Sequence, residues 1–124
     1  MKKYRVHIPI YDFYLDLYVS DDIPTLNKIN NTILKKAGFD EEDDFDAQAR
    51  FFPAYADKNK RVASMVFNKD LINYELISHE IYHFVIYISK ISDFQLNDGS
   101  EECFSYLTGF ISQQVFDKLK IYLK

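Results

Sequence analysis

Cysteine is almost absent from this sequence, and that scarcity limits the kinds of small protein it can encode. Cys103 is the only cysteine, so no disulfide can form within the chain and a cysteine-rich zinc finger is excluded. Glycine and proline are also scarce, with three of each, whereas 48% of the residues are hydrophobic and 17% aromatic. This composition is typical of a folded globular protein. A length of 124 residues suits one domain, which we expect to span residues 1–124.

Clusters of positive charge and long apolar runs are lacking as well. The formal net charge is −4, and no stretch collects enough lysine or arginine to follow a phosphate backbone, so we expect no nucleic-acid partner. The longest apolar run, around residues 81–91, is too short to span a bilayer, and residues 1–16 lack the apolar core of a signal peptide. We therefore expect a soluble, cytoplasmic protein with no membrane association.

The N-terminal part of the chain carries a strand pattern followed by a helix pattern. Residues 4–19 mix β-branched and aromatic residues in partial alternation, which predicts one long strand bent near Pro9 or a pair of strands. Asp22 is a candidate helix N-cap, Pro24 suits a first helical turn, and Gly38 suits a helix end. The sequence therefore predicts a helix between Asp22 and Gly38.

The middle of the chain predicts a β-hairpin. The acidic segment 40–46 lacks the spaced ligands and the glycine of an EF-hand loop, so it is interpreted as a solvated connector and not as a calcium site. The stretches "AQARFFPAYA" and "RVASMVFN" flank the turn "DKNK", and Pro53 places the first of these strands at a sheet edge or at a bulge.

Two further helices are predicted, at about residues 70–90 and 99–122. The order of strands, helix, hairpin, helix and helix favours one α+β domain with a mixed or antiparallel sheet. Apolar residues occur nearly all round the first of these helices, so we expect it to be buried on most sides.

Three polar residues interrupt the predicted helix 70–90. His79 and His83 are four residues apart, so their side chains project from the same helix face and can reach one metal ion. Glu80 follows the first histidine and is placed to accept a proton from a metal-bound water. This is the H-E-x-x-H pattern of zinc peptidases.

A catalytic zinc site needs a third protein ligand, and four residues are candidates. His7 lies in a predicted strand and is better explained as an ordinary sheet or surface histidine, and Cys103 is better explained as a small buried hydrophobe. If Asp98 is the N-cap of the last helix, Glu101 completes a capping box, which leaves Glu102 free to face the metal.

The surroundings of Glu102 on the last helix also suit a shared metal. The Glu102 side continues through Ser105, Tyr106 and Gly109, and small residues there would let two helices approach closely. A separate apolar stripe is predicted on this helix at Phe104, Leu107, Ile111, Val115, Leu119 and Tyr122.

These residues resemble the gluzincin metallopeptidases. The sequence HEIYH at 79–83, followed after eighteen residues by Glu102 within E-x-x-[small]-x, is similar to their motif pair, with Ser105 as the small residue. The short chain also resembles minigluzincins and small predicted metallopeptidases of bacterial prophages. The resemblance implies a zincin-like fold, Zn²⁺ bound by His79, His83 and Glu102, and Glu80 as general base acting on a peptide or protein substrate.

The chain departs from this family at one position. Tyr106 stands where some relatives place Asp or Asn to hydrogen-bond a ligand histidine, so Tyr106, Asp98 or a backbone carbonyl are candidates for that role. Tyr106 is also the predicted oxyanion stabiliser. The strand "RVASMVFN" is a candidate for binding an extended peptide by edge pairing.

Two other functions compete with a zinc peptidase. The aromatic content also suits a non-catalytic protein-binding module with a structural metal, which a fourth protein ligand would favour. A Cys103–histidine hydrolase is disfavoured, because no nucleophile signature surrounds Cys103 and G-x-S-x-G does not occur.

Overall fold

Four strands and three α-helices make up the part of the chain that the computed structural model describes, residues 1–36, 38, 49–53, 61–91, 97 and 99–123. In chain order they are β1 (Lys2–Ile8), β2 (Phe13–Ser20), α1 (Ile23–Lys36), β3 (Ala49–Phe52), β4 (Val62–Asn68), α2 (Tyr74–Ile91) and α3 (Glu101–Leu119). Short 3₁₀ turns follow β1, β4 and α3, at Pro9–Tyr11, Lys69–Leu71 and Lys120–Tyr122. The predicted α+β class is confirmed. The acidic segment 40–46 and the turn 57–60 lie outside the described residues.

The strands form one mixed sheet in the order β1-β2-β4-β3. β1 and β2 are antiparallel and are joined through Pro9–Tyr11 and Asp12, whose φ of 47° lies in the left-handed region, so residues 4–19 are a strand pair and not one bent strand. β4 runs parallel to β2 and antiparallel to β3. The predicted hairpin is confirmed, and β3 lies at a sheet edge, as Pro53 indicates.

The interior position of β4 corrects one prediction about substrate binding. β4 pairs with β2 on one side and with β3 on the other, so its backbone N–H and C=O groups are already used in the sheet. The prediction that "RVASMVFN" binds a peptide by edge pairing is therefore wrong. Among the described strands, β1 and β3 are the ones with an open edge.

The two faces of the sheet pack against different helices. Leu15, Leu17 and Met65 face α2 and α3 and belong to the main core of the protein. Phe52 and Val66 point to the opposite face, where they form a smaller core with apolar residues of α1. Because side chains alternate along a strand, β3 and β4 contribute to both cores.

Local side-chain contacts set the two ends of α1 as the sequence predicts. The Asp22 side chain accepts a hydrogen bond from the backbone N–H of Thr25 at 3.1 Å, which is the contact of an N-cap with the third helical residue. Gly38 has a φ of 81° and donates its N–H to the Lys35 carbonyl at 3.0 Å. This left-handed conformation is the usual helix end at glycine.

Helix α2 begins later than predicted and exposes one face. The Asn73 side chain accepts the N–H of Leu76 at 2.9 Å, so Asn73 caps the helix. Buried residues form a stripe at Ile77, Glu80, Ile81, Phe84, Val85, Ile88 and Ser89. The opposite side, which includes His79 and His83, is exposed, so the prediction of a helix buried on most sides is wrong. Neither α2 nor any other helix in the described part of the chain is long and apolar enough to cross a membrane.

Helix α3 begins at Glu101 with Ser100 as its N-cap. Glu101 is therefore the first helical residue and not the third, so the predicted capping box is wrong, and Asp98 lies outside the described residues. The predicted apolar stripe is confirmed from Phe104 to Leu119, and Tyr122 packs against the same core. The expected close approach of helices at Gly109 is wrong, because a Cβ atom at Gly109 would meet nothing within 4 Å.

A large-to-small substitution in β2 tests this core. Leu17 is 0% exposed between β1 and β4, so Leu17→Ala leaves a cavity and should lower the free energy of unfolding by about 2–5 kcal/mol in urea denaturation. Ile121 is 70% exposed, and the control Ile121→Ala should change it by less than about 0.5 kcal/mol. Equal losses in the two variants would contradict the described packing.

Candidate metal centre

His79 and His83 lie one turn apart on the exposed face of α2, and their imidazole rings meet through their Nε2 atoms. The two Nε2 atoms are 3.0 Å apart, and the ring planes meet at 74°. Two nitrogen ligands of a tetrahedral zinc ion, each about 2.0–2.1 Å from the metal, are about 3.3 Å apart. The histidine pair therefore directs two nitrogens toward one point at close to the separation that a metal requires.

The contact between the two rings also affects their protonation. The two Nε2 atoms are within hydrogen-bond distance, and a hydrogen bond between the two neutral rings needs the proton on one Nε2 and a free lone pair on the other. Burial lowers the pKa of His83, and the nearby His79 lowers it further. Both causes favour a neutral His83, which is the form that binds a metal.

Glu80 lies on the buried side of α2, one residue after His79. Only 5% of Glu80 is exposed. Burial raises the pKa of the Glu80 carboxyl above its ordinary value, and the nearby His79 lowers it by a smaller amount. A carboxylate with a raised pKa is a stronger base, so Glu80 is suited to accept a proton from a group bound beside the histidines.

A cleft of about 300 Å³ opens between α2 and the edge strand β3. We call it the histidine cleft, and it is lined by Ala49, Arg50, Phe51, His79, Glu80 and His83. The guanidinium of Arg50 donates a hydrogen bond to the Asn30 side chain on α1 at 3.2 Å and lies 4.8 Å from the centre of the Phe52 ring. The charged end of Arg50 is thus held on the α1 side of the sheet, away from the histidines.

The histidine pair fits a metal as two of its ligands, but the described residues do not supply the third. They contain no group of three His, Cys, Asp or Glu side chains that is arranged to hold a metal ion. Glu102 is exposed in the first turn of α3 and is not grouped with the histidines. Its role as third ligand stays a prediction.

Helix geometry explains the position of Glu102. At about 100° per residue, Glu102 lies about 160° round α3 from Phe104, which belongs to the buried stripe. Glu101 lies only about 60° from Phe104 by the same geometry. The two glutamates therefore project about 100° apart on α3, and the choice between them, which the sequence leaves open, stays open in the structure.

The other candidate ligands lie elsewhere. His7 is on β1, where its Nε2 is 3.4 Å from the Asp12 carboxylate and its ring stacks on Tyr14 with centroids 4.6 Å apart. This is the ordinary sheet histidine that the sequence predicts. Cys103 is exposed, so its interpretation as a buried hydrophobe is wrong.

Tyr106 is 73% exposed and lines a different cavity. That cavity, of about 470 Å³, shares no lining residue with the histidine cleft and is formed by Ile8, Pro9, Tyr11, Cys103, Tyr106, Leu107 and Phe110. The structure therefore does not bring Tyr106 together with Glu80. Its predicted role at the oxyanion stays a prediction.

Sequence reasoning missed Phe51, which forms the wall of the histidine cleft nearest His83. The Phe51 ring is parallel to the His83 ring within 5°, with centroids 6.2 Å apart. The sequence shows two adjacent phenylalanines at 51 and 52, and strand alternation sends them to opposite faces. Which one meets the helix depends on strand register, and nothing in the local pattern fixes that register.

We compared the chain with family profiles, with curated proteins and with solved structures, and none of them matches it.

Replacing Glu80 in metal-free protein tests its burial. Because the pKa of Glu80 is higher in the folded than in the unfolded protein, ionisation of Glu80 destabilises the fold. This destabilisation is fully present above the folded pKa and absent below the ordinary pKa of about 4.3. Glu80→Gln should therefore raise the thermal unfolding midpoint at pH 8, with the gain vanishing near pH 4. The exposed Glu75, changed to Gln, is the control and should give no such gain. A lower midpoint for Glu80→Gln at pH 8 would contradict the assignment.

Proposed function

We propose that this protein is a zinc-dependent metallopeptidase that hydrolyses peptide bonds in a peptide or protein substrate. The observation that carries the proposal is the convergence of the His79 and His83 Nε2 atoms at 3.0 Å, with the Glu80 carboxylate buried beside them in one cleft. The H-E-x-x-H pattern supports the same chemistry. A cytoplasmic location is part of this proposal.

Each residue of the cleft has a role in the proposed reaction. His79 and His83 would hold the metal, and Glu102 is the predicted third ligand. When bound, zinc supplies a Lewis acid that activates water and polarises a carbonyl group. Glu80 accepts the proton of the attacking water and returns it to the leaving amine. Its burial favours the first of these two steps, because a carboxylate with a raised pKa is a better base.

The position of β3 suggests where a substrate would lie. β3 forms one wall of the histidine cleft, and among the described residues it pairs with β4 on one side only. An extended peptide that pairs with the open edge of β3 would pass the histidines, with backbone hydrogen bonds providing affinity. The edge strand is thus β3 in this proposal, and not β4.

Metal analysis of the purified protein tests the proposed ligands. We expect about one zinc per chain, and its loss in His79→Ala, His83→Ala and Glu102→Ala because each variant removes a ligand. Glu101→Ala is the matched comparison, because it removes the neighbouring exposed carboxylate. Zinc that survives Glu102→Ala but is lost in Glu101→Ala would reassign the third ligand, and zinc that survives His79→Ala would reject the site.

Activity measurements test the role of Glu80. Glu80→Gln should keep its zinc and lose peptide hydrolysis by at least about 10²-fold, because the amide cannot accept the proton. The measurement is cleavage of a peptide library by mass spectrometry, with zinc content determined on the same samples. Hydrolysis by Glu80→Gln at the rate of the unchanged protein would reject the proposed mechanism.

A second candidate function is a non-catalytic protein-binding module with a structural metal. It is favoured by the exposed aromatic residues Tyr106 and Phe110 at the mouth of the larger cavity. The same samples discriminate the two functions. Zinc-loaded protein that cleaves no member of the library and in which a fourth protein side chain binds the metal would favour the binding module.

A further inference from the structure

We propose that Phe51 is a positioning residue for His83: its ring holds the imidazole plane so that Nε2 stays directed at the metal position. A metal-binding histidine usually obtains its orientation from a hydrogen bond at its second ring nitrogen, to a carboxylate, a carbonyl or a water. In this chain an aromatic ring from an edge strand takes over that task. The metal-binding part of this inference rests on the proposed function, whereas the orientation of the ring does not.

The first observation is the lack of a hydrogen bond at the second ring nitrogen. His79 and His83 contact each other through Nε2, and within the described part of the chain neither has a hydrogen-bond partner at Nδ1. The only further ring contact of His83 there is the one with Phe51. Within the described residues, the stack on Phe51 and the contact with His79 are therefore the hydrogen-bonding or ring contacts that can orient the His83 ring.

The second observation is the geometry of the stack. The rings of Phe51 and His83 are parallel within 5° at a centroid distance of 6.2 Å, which is an offset stacked arrangement. Rotation of the imidazole about its Cβ–Cγ bond would turn it out of this plane and against the Phe51 face. Stacking thus fixes the plane, and the contact with His79 at 3.0 Å selects which edge of the ring points at the metal position.

The third observation is that Phe51 is itself held in place. Its ring lies 5.9 Å from the Phe84 ring and 6.0 Å from the Tyr87 ring, at interplanar angles of 48° and 61°. Phe84 is fully buried and also packs against Phe13 of β2. The orientation of His83 is therefore connected through Phe51 to the core of the domain.

The neighbouring residue provides a matched control. Phe52 follows Phe51 on the same strand, but it faces the α1 core and contacts neither histidine. Substitutions at the two positions alter the same amino acid in the same strand. They differ in which core they disturb and in whether they face His83.

The experiment compares Phe51→Met with Phe52→Met, since methionine keeps apolar volume but has no ring plane. Zinc affinity is measured by competition with a chromophoric chelator, and ¹⁵N–¹H long-range NMR spectra of metal-free protein report the His83 tautomer and ring contacts.

Phe51→Met should weaken zinc binding by about tenfold or more and average the His83 signals. Phe52→Met should lower the thermal unfolding midpoint and leave both readouts unchanged. Phe51→Tyr, which keeps the ring, should restore both.

Two results would overturn the inference. One is a zinc affinity of folded Phe51→Met within about twofold of the unchanged protein together with an unaltered His83 spectrum. The other needs no variant: the absence of nuclear Overhauser contacts between the Phe51 and His83 rings in the unchanged, metal-free protein. If the unchanged protein binds no zinc, the proposed function fails, and the NMR comparison of the metal-free proteins still decides whether Phe51 orients His83.

Discussion

The packing of α2 against the sheet is the constraint on which the rest of the site depends. Phe84 and its neighbours Ile77, Ile81 and Ile88 are buried against the strands, which fixes the rotation of the helix about its own axis. With about 100° between successive residues, this rotation leaves His79 and His83 on the open side and turns Glu80 inward. This packing thus places the two imidazole nitrogens on the open side of α2 and the Glu80 carboxylate, whose pKa is raised by burial, on the inner side.

Features of the protein that depend on local chemistry could be predicted from the sequence, and features that depend on distant contacts could not. Asp22 and Gly38 set the ends of α1 because a cap and a left-handed glycine act within one helical turn. The start of α3 was not predictable in this way. The Asn97 side chain accepts hydrogen bonds from the N–H groups of Gly99 and Ser100 and thereby shapes the turn ahead of the helix. Asp98 is an equally good capping residue by its type, so the sequence did not show where the helix begins.

The same distinction applies to the candidate metal centre. The spacing of His79 and His83 follows from helix geometry, so their convergence was predictable. Apolar residues of α2 itself occur nearly all round the helix, so the sequence alone could not show which of its faces the sheet would cover. Whether Glu102 can reach the histidines depends on how α3 is rotated relative to α2, and the buried stripe containing Phe104 sets that rotation.

Strand β3 has only four residues, yet its alternating side chains join the two cores of the protein. A slip of one residue against β4 would exchange the faces of Phe51 and Phe52 and turn the guanidinium of Arg50 toward α2. In the slip that brings Arg50 to the position of Phe51, a positive charge would replace the aromatic wall beside His83 and would repel a metal cation. The integrity of the centre is therefore a matter of strand register, which the hairpin with β4 and the contact of Arg50 with Asn30 hold in place.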